Sequence, residues 1–176
     1  MLINLSEILS NQAKTEHHEC EICMEDFEFN GMHYPFADKS QVVLDLTSAG
    51  KKKVRAVGHF DATLLLPCDR CLEDVKWEFP ISFNKVLDFS EDEEDDNEEN
   101  LTEMSFMEGS ELDTDVLVYD ELVMAMPMKV LCKPDCKGLC PVCGANRNTT
   151  KCECDTKVPD PRMAAIRDIF NKSKEV

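Results

Sequence analysis

Cys140-Pro141-Val142-Cys143-Gly144 is the strongest local signal in the sequence. Two cysteines three apart, followed by glycine, form a tight turn that points both sulfurs at one ion. Zinc takes four ligands in a tetrahedron, with metal–sulfur distances near 2.3 Å, so one such pair calls for a second. Cys152-Glu153-Cys154 lies nearby across an Asn- and Thr-rich loop. Its bite is tighter than that of the first pair but still feasible. Cys132 and Cys136 precede this set, and Cys68-Asp69-Arg70-Cys71 stands far upstream. The preferred partition is two four-sulfur structural zinc sites. One takes Cys68, Cys71, Cys132 and Cys136, and would staple a sheet to the tail. The other takes Cys140, Cys143, Cys152 and Cys154. A mixed ligand set remains open, as does a thioredoxin-like dithiol at Cys68 and Cys71. That dithiol motif normally opens a helix, whereas strands are expected on both sides here.

Cys20 and Cys23, with His17 and His18 close by, form a weaker candidate cluster that is more simply an ordinary polar end. His33 and His59 are given no role. All-sulfur sites are closed and structural, whereas catalytic zinc keeps an open position. No serine–histidine arrangement, glycine-rich phosphate loop or spaced carboxylate pair stands out, so no catalysis and no small-molecule substrate are expected.

The elements that must position these sulfurs are mainly strands. Val42, Leu44 and Leu46 alternate with polar neighbours, Thr47 to Gly50 reads as a turn, and Val54 to Phe60 resumes, which predicts an antiparallel hairpin. The run Lys51-Lys52-Lys53-Val54-Arg55 is read as its solvated turn. Thr63 to Leu66 reads as a further strand. Val75, Trp77, Phe79, Ile81 and Phe83 then alternate, the sign of one buried and one wet face. Pro80 cannot donate to a ladder, which puts that strand at an edge or gives it a bulge. Upstream, Ile3 to Leu9 reads as a short helix or strand, and Met24 to Tyr34 as weakly strand-like. Thr114 or Asp115 is expected to cap a helix over about 115–126, with Val116, Tyr119, Val123 and Met126 on one side, Leu122 adjacent to them, and Pro127 as its stop. Asp160-Pro161 is expected to open a last short helix with Met163, Ile166, Ile169 and Phe170 on one face. The fold class is α+β: an antiparallel sheet, curled or not into a partial barrel, with one packed helix and a cysteine-rich, zinc-binding C-terminal segment. The domain boundaries follow, with an acidic mainly-β domain over 1–128 and a basic metal-binding tail over 129–176.

Charge sharpens that division. The chain has 176 residues and a formal net charge of -17, which taken whole argues against nucleic acid. The charge is not evenly spread. The first 128 residues hold nine bases and 30 acids, a net of -21, and the last 48 hold ten bases and six acids, a net of +4. Eight acids crowd Glu91 to Asn100, read as part of a disordered loop over 90–110. The basic end is also the cysteine-rich end, with six of the ten cysteines. Lys14 is the only Lys or Arg in the first 21 residues, no apolar run reaches the roughly 20 residues of a membrane span, and a cytoplasmic location with no membrane partner is expected. In a reducing compartment, clustered cysteines favour metal or catalytic thiols over disulfides.

The order of motifs resembles the YceD family, the large-ribosomal-RNA-accumulation proteins. The matching elements are Cys68-x-Arg70-Cys71-Leu72; the stretch with Glu121, Leu122, Met126 and Pro127; Cys132 to Gly144 with Asn146 and Asn148; and Cys152-x-Cys154 followed by Asp160-Pro161-Arg162. The resemblance spans roughly residues 40–170 and leaves out Cys20 and Cys23. It implies a non-enzymatic role in ribosome biogenesis, through accumulation of 23S rRNA, with a link to a small ribosomal protein. The expected partners are rRNA or the pre-large ribosomal subunit, contacted by Lys133, Lys137, Arg147 and Lys151 of the basic tail. A small basic ribosomal protein cradled by the acidic part is a further partner. The competing functions are a binding module for such a protein without RNA contact, and a thiol–disulfide oxidoreductase using Cys68 and Cys71.

Overall fold

The computed structural model describes residues 1–11, 14–50, 52–89 and 106–154, with Met163 and Ile166. The chain divides into two compact units. One is Met1–Pro67 with Asp74–Val130, and the other is Cys68–Glu73 with Leu131–Val176. The chain thus leaves the first unit twice, once for six residues at a hairpin tip and once at Val130.

The first unit is built around one long strand. Its elements in chain order are β1 (Leu2–Asn4), α1 (Ser6–Ser10), β2 (Thr15–Cys20), β3 (Asp26–Phe29), β4 (Met32–Lys39), β5 (Val42–Gly50), β6 (Lys53–Pro67), β7 (Asp74–Asp88), β8 (Met107–Glu108), β9 (Glu111–Asp113) and α2 (Thr114–Ala125). All strand pairing is antiparallel. Along one edge, β6 pairs with β7 over its whole length, from Lys53↔Asp88 to Pro67↔Asp74. Along the other it pairs first with β5 and then with β4. The break between β4 and β5 is bridged by Ser40. Its N–H donates to Asp61 O at 2.8 Å, and its hydroxyl accepts the Asp61 N–H at 2.9 Å. Beyond these, β2 pairs with β5 and β3 with β4. The sheet stays open, with β7 along one margin and β2 and β3 along the other, so the partial barrel is not formed. Pro80 sits on β7, which among the described residues pairs only with β6, and so no ladder bond is lost.

Alternation sets the buried face. Val54, Ala56, Phe60, Ala62, Leu64 and Leu66 of β6 point inward with Leu44 and Leu46 of β5 and Phe79, Ile81, Phe83 and Leu87 of β7. Leu5 and Ile8 at α1, Phe106, and Leu117, Val118 and Leu122 of α2 join the same core. A three-stranded ribbon, in the order β1-β9-β8, accompanies them.

Several expected boundaries shift. Thr47 to Gly50 is strand and not turn, with a register irregularity between Ser48 and Gly50. The reversal falls at Lys52, whose φ is 56°, and Lys51 lies outside the described residues. The two strands expected at Val54–Phe60 and Thr63–Leu66 are one, because inward apolar side chains continue without a break. Residues 2–10 hold both a strand and a helix, and Met24–Tyr34 is part of a hairpin turning at Asn30-Gly31. The helix α2 is capped by Asp113, whose carboxylate accepts the Asp115 N–H at 3.0 Å. Its buried stripe is Thr114, Leu117, Val118 and Leu122, not the expected Val116, Tyr119, Val123 and Met126, which are half-buried. Apolar residues surround this helix almost completely, so spacing alone does not choose a face.

The acidic loop expected at 90–110 lies outside the described residues up to 105. Phe106, which follows it, is fully buried, and Met107–Glu108 and Glu111–Asp113 pair as strands. The helix expected from Asp160 also lies outside them, apart from Met163 and Ile166, which are exposed. Among the described residues no helix is long and apolar enough to cross a membrane.

Up to Cys154, the described residues of the second unit have almost no regular structure. Among its described residues, pairing is limited to a single bridge, Leu139↔Asn146. Turns and sulfurs take the place of strands.

Candidate metal centres

Cys68–Glu73 forms the tip between β6 and β7. The Cys68 N–H donates to Glu73 O at 2.9 Å, and the Leu72 N–H returns to Cys68 O at 2.9 Å. Leu72 closes the turn with φ 60°, a left-handed backbone that costs leucine roughly 1 kcal/mol. Both knuckle sulfurs end up buried. The Cys71 and Cys132 sulfurs stand 3.5 Å apart and those of Cys68 and Cys136 3.8 Å apart. All four ligand atoms lie within 4.8 Å of one another. Metal–sulfur bonds near 2.3 Å give a tetrahedron whose edge is about 3.8 Å. The cysteines are free, not disulfide-bonded.

The frame of this cluster is polar and specific. The Arg70 guanidinium donates to Cys136 O at 2.7 Å. The Leu139 N–H donates to Arg70 O at 2.9 Å. Gly138, at φ +71°, lies so close that a Cβ there would meet Arg70 O at 2.8 Å, which reserves the position for glycine. The Asn148 amide donates to the Cys136 sulfur at 3.2 Å, and the Asn146 amide to Glu73 Oε1 at 2.9 Å.

The second cluster is Cys140, Cys143, Cys152 and Cys154, again with all four ligand atoms within 4.8 Å. Its first turn is closed by the Gly144 N–H donating to Cys140 O at 2.9 Å, with Gly144 at φ 72°. The Cys140 N–H reaches Ala145 O at 2.8 Å. Here only Cys140 is buried; Cys143 is exposed, and Cys152 and Cys154 are half-buried. The grouping of the eight cysteines is the one the spacing favoured.

Each cluster frustrates its own thiols. The N–H groups of Cys143 and Val142 hold the Cys140 thiol down to about 6. Cys154 is pushed up to about 12, first by the neighbouring Cys143 sulfur and then by burial. Burial opposes ionisation of Cys68, but the N–H groups of Arg70, Cys132 and Cys71 outweigh it and bring it to about 6. At Cys71 the Glu73 N–H favours the thiolate. Burial and the sulfurs of Cys132, Cys68 and Cys136 nevertheless drive that thiol up to about 12. Thiolates crowded this closely repel, and a divalent cation between them removes the repulsion. Both clusters therefore have the donor set and spacing to hold a metal ion.

Cys20 and Cys23 are not gathered into either cluster. Cys20 is buried in the core of the first unit, and burial pushes its thiol up. Cys23 is exposed, with its N–H on Asp115 Oδ1 at 2.8 Å. His17 pairs with Asp45 at 2.7 Å and His18 with Glu16 at 3.1 Å. Lys133, Lys137, Arg147 and Lys151 are all exposed on the second unit. The roles of Arg70, Asn146 and Asn148 around the sulfurs were not derivable from spacing. Their only signal was membership of the family-like motifs.

A small open antiparallel sheet carrying a helix, with a unit built on two four-cysteine clusters, defines the class of protein. Comparison with known families makes it specific. The profile described as large ribosomal RNA subunit accumulation protein YceD matches residues 56–170, which include all eight clustered cysteines. The chain belongs to the YceD family. It is 28% identical over 138 residues to the uncharacterized protein YlbN of Bacillus subtilis (strain 168), covering 77% of this chain and 70% of that protein. It is 27% identical over 167 residues to the large ribosomal RNA subunit accumulation protein YCED homolog 1, chloroplastic, of Arabidopsis thaliana, covering 81% of this chain and 52% of that one. An uncharacterized protein of Mycobacterium bovis, Mb2951c, is 26% identical over 122 residues, covering 69% of this chain and 58% of the relative. The chain thus spans only about half the length of its plant relative. No solved structure matches it.

Proposed function

We propose that this chain is a non-enzymatic factor in ribosome biogenesis that supports accumulation of 23S rRNA and assembly of the large subunit. The family match over residues 56–170 carries this reading, and the name of the Arabidopsis relative points the same way. In this account the second unit is organised by two structural zinc ions and presents Lys133, Lys137, Arg147 and Lys151 to rRNA. The all-sulfur donor sets support zinc in a closed, non-catalytic role. A reactive dithiol at Cys68 and Cys71 is disfavoured, because both are buried and share their cluster with Cys132 and Cys136. The acidic excess of the first 128 residues, a net of -21, confines any RNA contact to the basic end. The whole reading belongs to the cytoplasm, where thiols stay reduced.

The test is binding of the full chain to large-subunit rRNA fragments across a salt series. Affinity should fall with salt, and neutralising the four basic residues should reduce the log–log slope by roughly 0.7 for each phosphate they neutralise. Crosslinking in cells that recovers neither rRNA nor proteins of the assembling large subunit would overturn the proposal. A second reading rests on the same acidic excess: a cradle for a small basic ribosomal protein with no RNA contact. Under that reading the four neutralised positions leave function unchanged.

A further inference from the structure

The two sulfur clusters share a loop. Asn146 to Lys151 separates Cys140 and Cys143 from Cys152 and Cys154, so an ion held by those four closes the loop into a ring. The same loop is hydrogen-bonded into the frame of the other cluster. The Asn148 side chain donates to the Cys136 sulfur at 3.2 Å and accepts the Lys137 N–H at 2.9 Å. The Asn148 N–H donates to Asn146 Oδ1 at 2.9 Å, and the Asn146 amide donates to Glu73 Oε1 at 2.9 Å. The Arg147 N–H completes the seam on Gly138 O at 3.0 Å. One short loop is thus the closing strap of one cluster and part of the outer shell of the other.

We propose that the two clusters load metal cooperatively, with Asn148 as the positioning residue that couples them. This rests on the metal reading above. An open loop must lose conformational freedom before Asn148 can reach Cys136. When an ion already closes the loop at Cys140, Cys143, Cys152 and Cys154, that ordering has been met, and the hydrogen bond to the Cys136 sulfur forms at little further cost. Outer-shell donors of this kind change metal affinity by about 10- to 100-fold. Linkage makes the effect reciprocal, so each cluster raises the affinity of the other by the same factor. Burial gives the pair a direction. Cys143 is exposed while Cys68, Cys71 and Cys136 are buried, so a chelator strips the exposed cluster first and thereby loosens the buried one.

The experiment is titration of the full, metal-stripped, reduced chain with Co²⁺ against a competing chelator, read by the sulfur-to-cobalt charge-transfer band. C152S/C154S should leave one tetrahedral site, at Cys68, Cys71, Cys132 and Cys136, with affinity at least about fivefold weaker than in the parent chain. N148D keeps an acceptor for the Lys137 N–H but removes the donor to Cys136. It should move the charge-transfer band and abolish the difference made by C152S/C154S. The reciprocal variant C68S/C71S should weaken the other cluster by the same factor, which keeps the test decisive if C152S/C154S misfolds. Unchanged affinity of the remaining cluster in either double variant overturns the coupling while leaving the metal reading intact. A parent chain that binds no Co²⁺ overturns both.

Discussion

The two units of this chain reach a defined structure by opposite means. The first hides a continuous apolar face: Phe60, Leu64 and Leu66 on β6, Phe27 on β3, Phe106, and Leu117 on α2 are all fully or almost fully buried. Its backbone groups are satisfied by ladders. Among its described residues the second places few large apolar side chains inside, and the most deeply buried of them include Cys68, Cys71, Cys136 and Cys140. Its backbone and side-chain polar groups are turned toward sulfurs and turns. The first unit therefore resembles an ordinary domain stabilised by burial, and the second has two four-sulfur sets that could hold ions in place of such a core. An apolar core tolerates volume-conserving change, whereas four ligands around one point tolerate almost none.

The largest expected effect follows directly. Removal of all bound metal by a chelator should collapse protection against hydrogen exchange over 131–154 and leave protection of β5, β6 and β7 in place. Structural zinc contributes roughly 10–16 kcal/mol to small metal-organised folds at neutral pH, so the loss should be all-or-none. Equal loss in both units would break the contrast. The converse change is Phe60→Ala, which should cost about 3–5 kcal/mol through lost burial and a residual cavity. It should lower the melting temperature of the first unit with no change in metal content.

How much of this was legible beforehand depended on which signal each element used. Period-two alternation marked β7 clearly, since Phe79, Ile81 and Phe83 are buried and their neighbours exposed. The continuity of β6 was masked at Asp61, a polar outward residue that looks like an interruption in a window but lies on the wet face of one strand. The inward face of α2 was not readable, because its apolar residues nearly encircle it. Phe106 was lost to an acidic run whose composition dominates any window that includes it. For the cysteines, spacing favoured two groups of four but left a mixed set open, because close pairs must share partners without the chain fixing which. The donors around them, Arg70 and Asn148, were not legible as such. Their partners Cys136 O and the Cys136 sulfur are chosen by three-dimensional turns that leave no periodic trace.

Smaller effects refine the picture of the first unit. Asp113→Ala removes the cap on α2 and should destabilise that unit by about 1 kcal/mol, measured by denaturant midpoint, with metal content unchanged. The smallest effect concerns His17. Asp45 first, and Glu19 less strongly, raise its pKa above the usual 6.5 against an opposing desolvation. The sign follows: this contribution to stability is fully present below 6.5 and fades as pH rises through the raised value. His17→Gln should flatten that slight pH dependence above about pH 6.5 without affecting either cluster.

The most direct measurement is the metal content of the full chain purified under reducing conditions, by elemental analysis with native mass. The account predicts two zinc ions per chain, one lost with Cys71→Ser and the other with Cys143→Ser. A chain that is folded throughout, resistant to chelators and free of metal would contradict it.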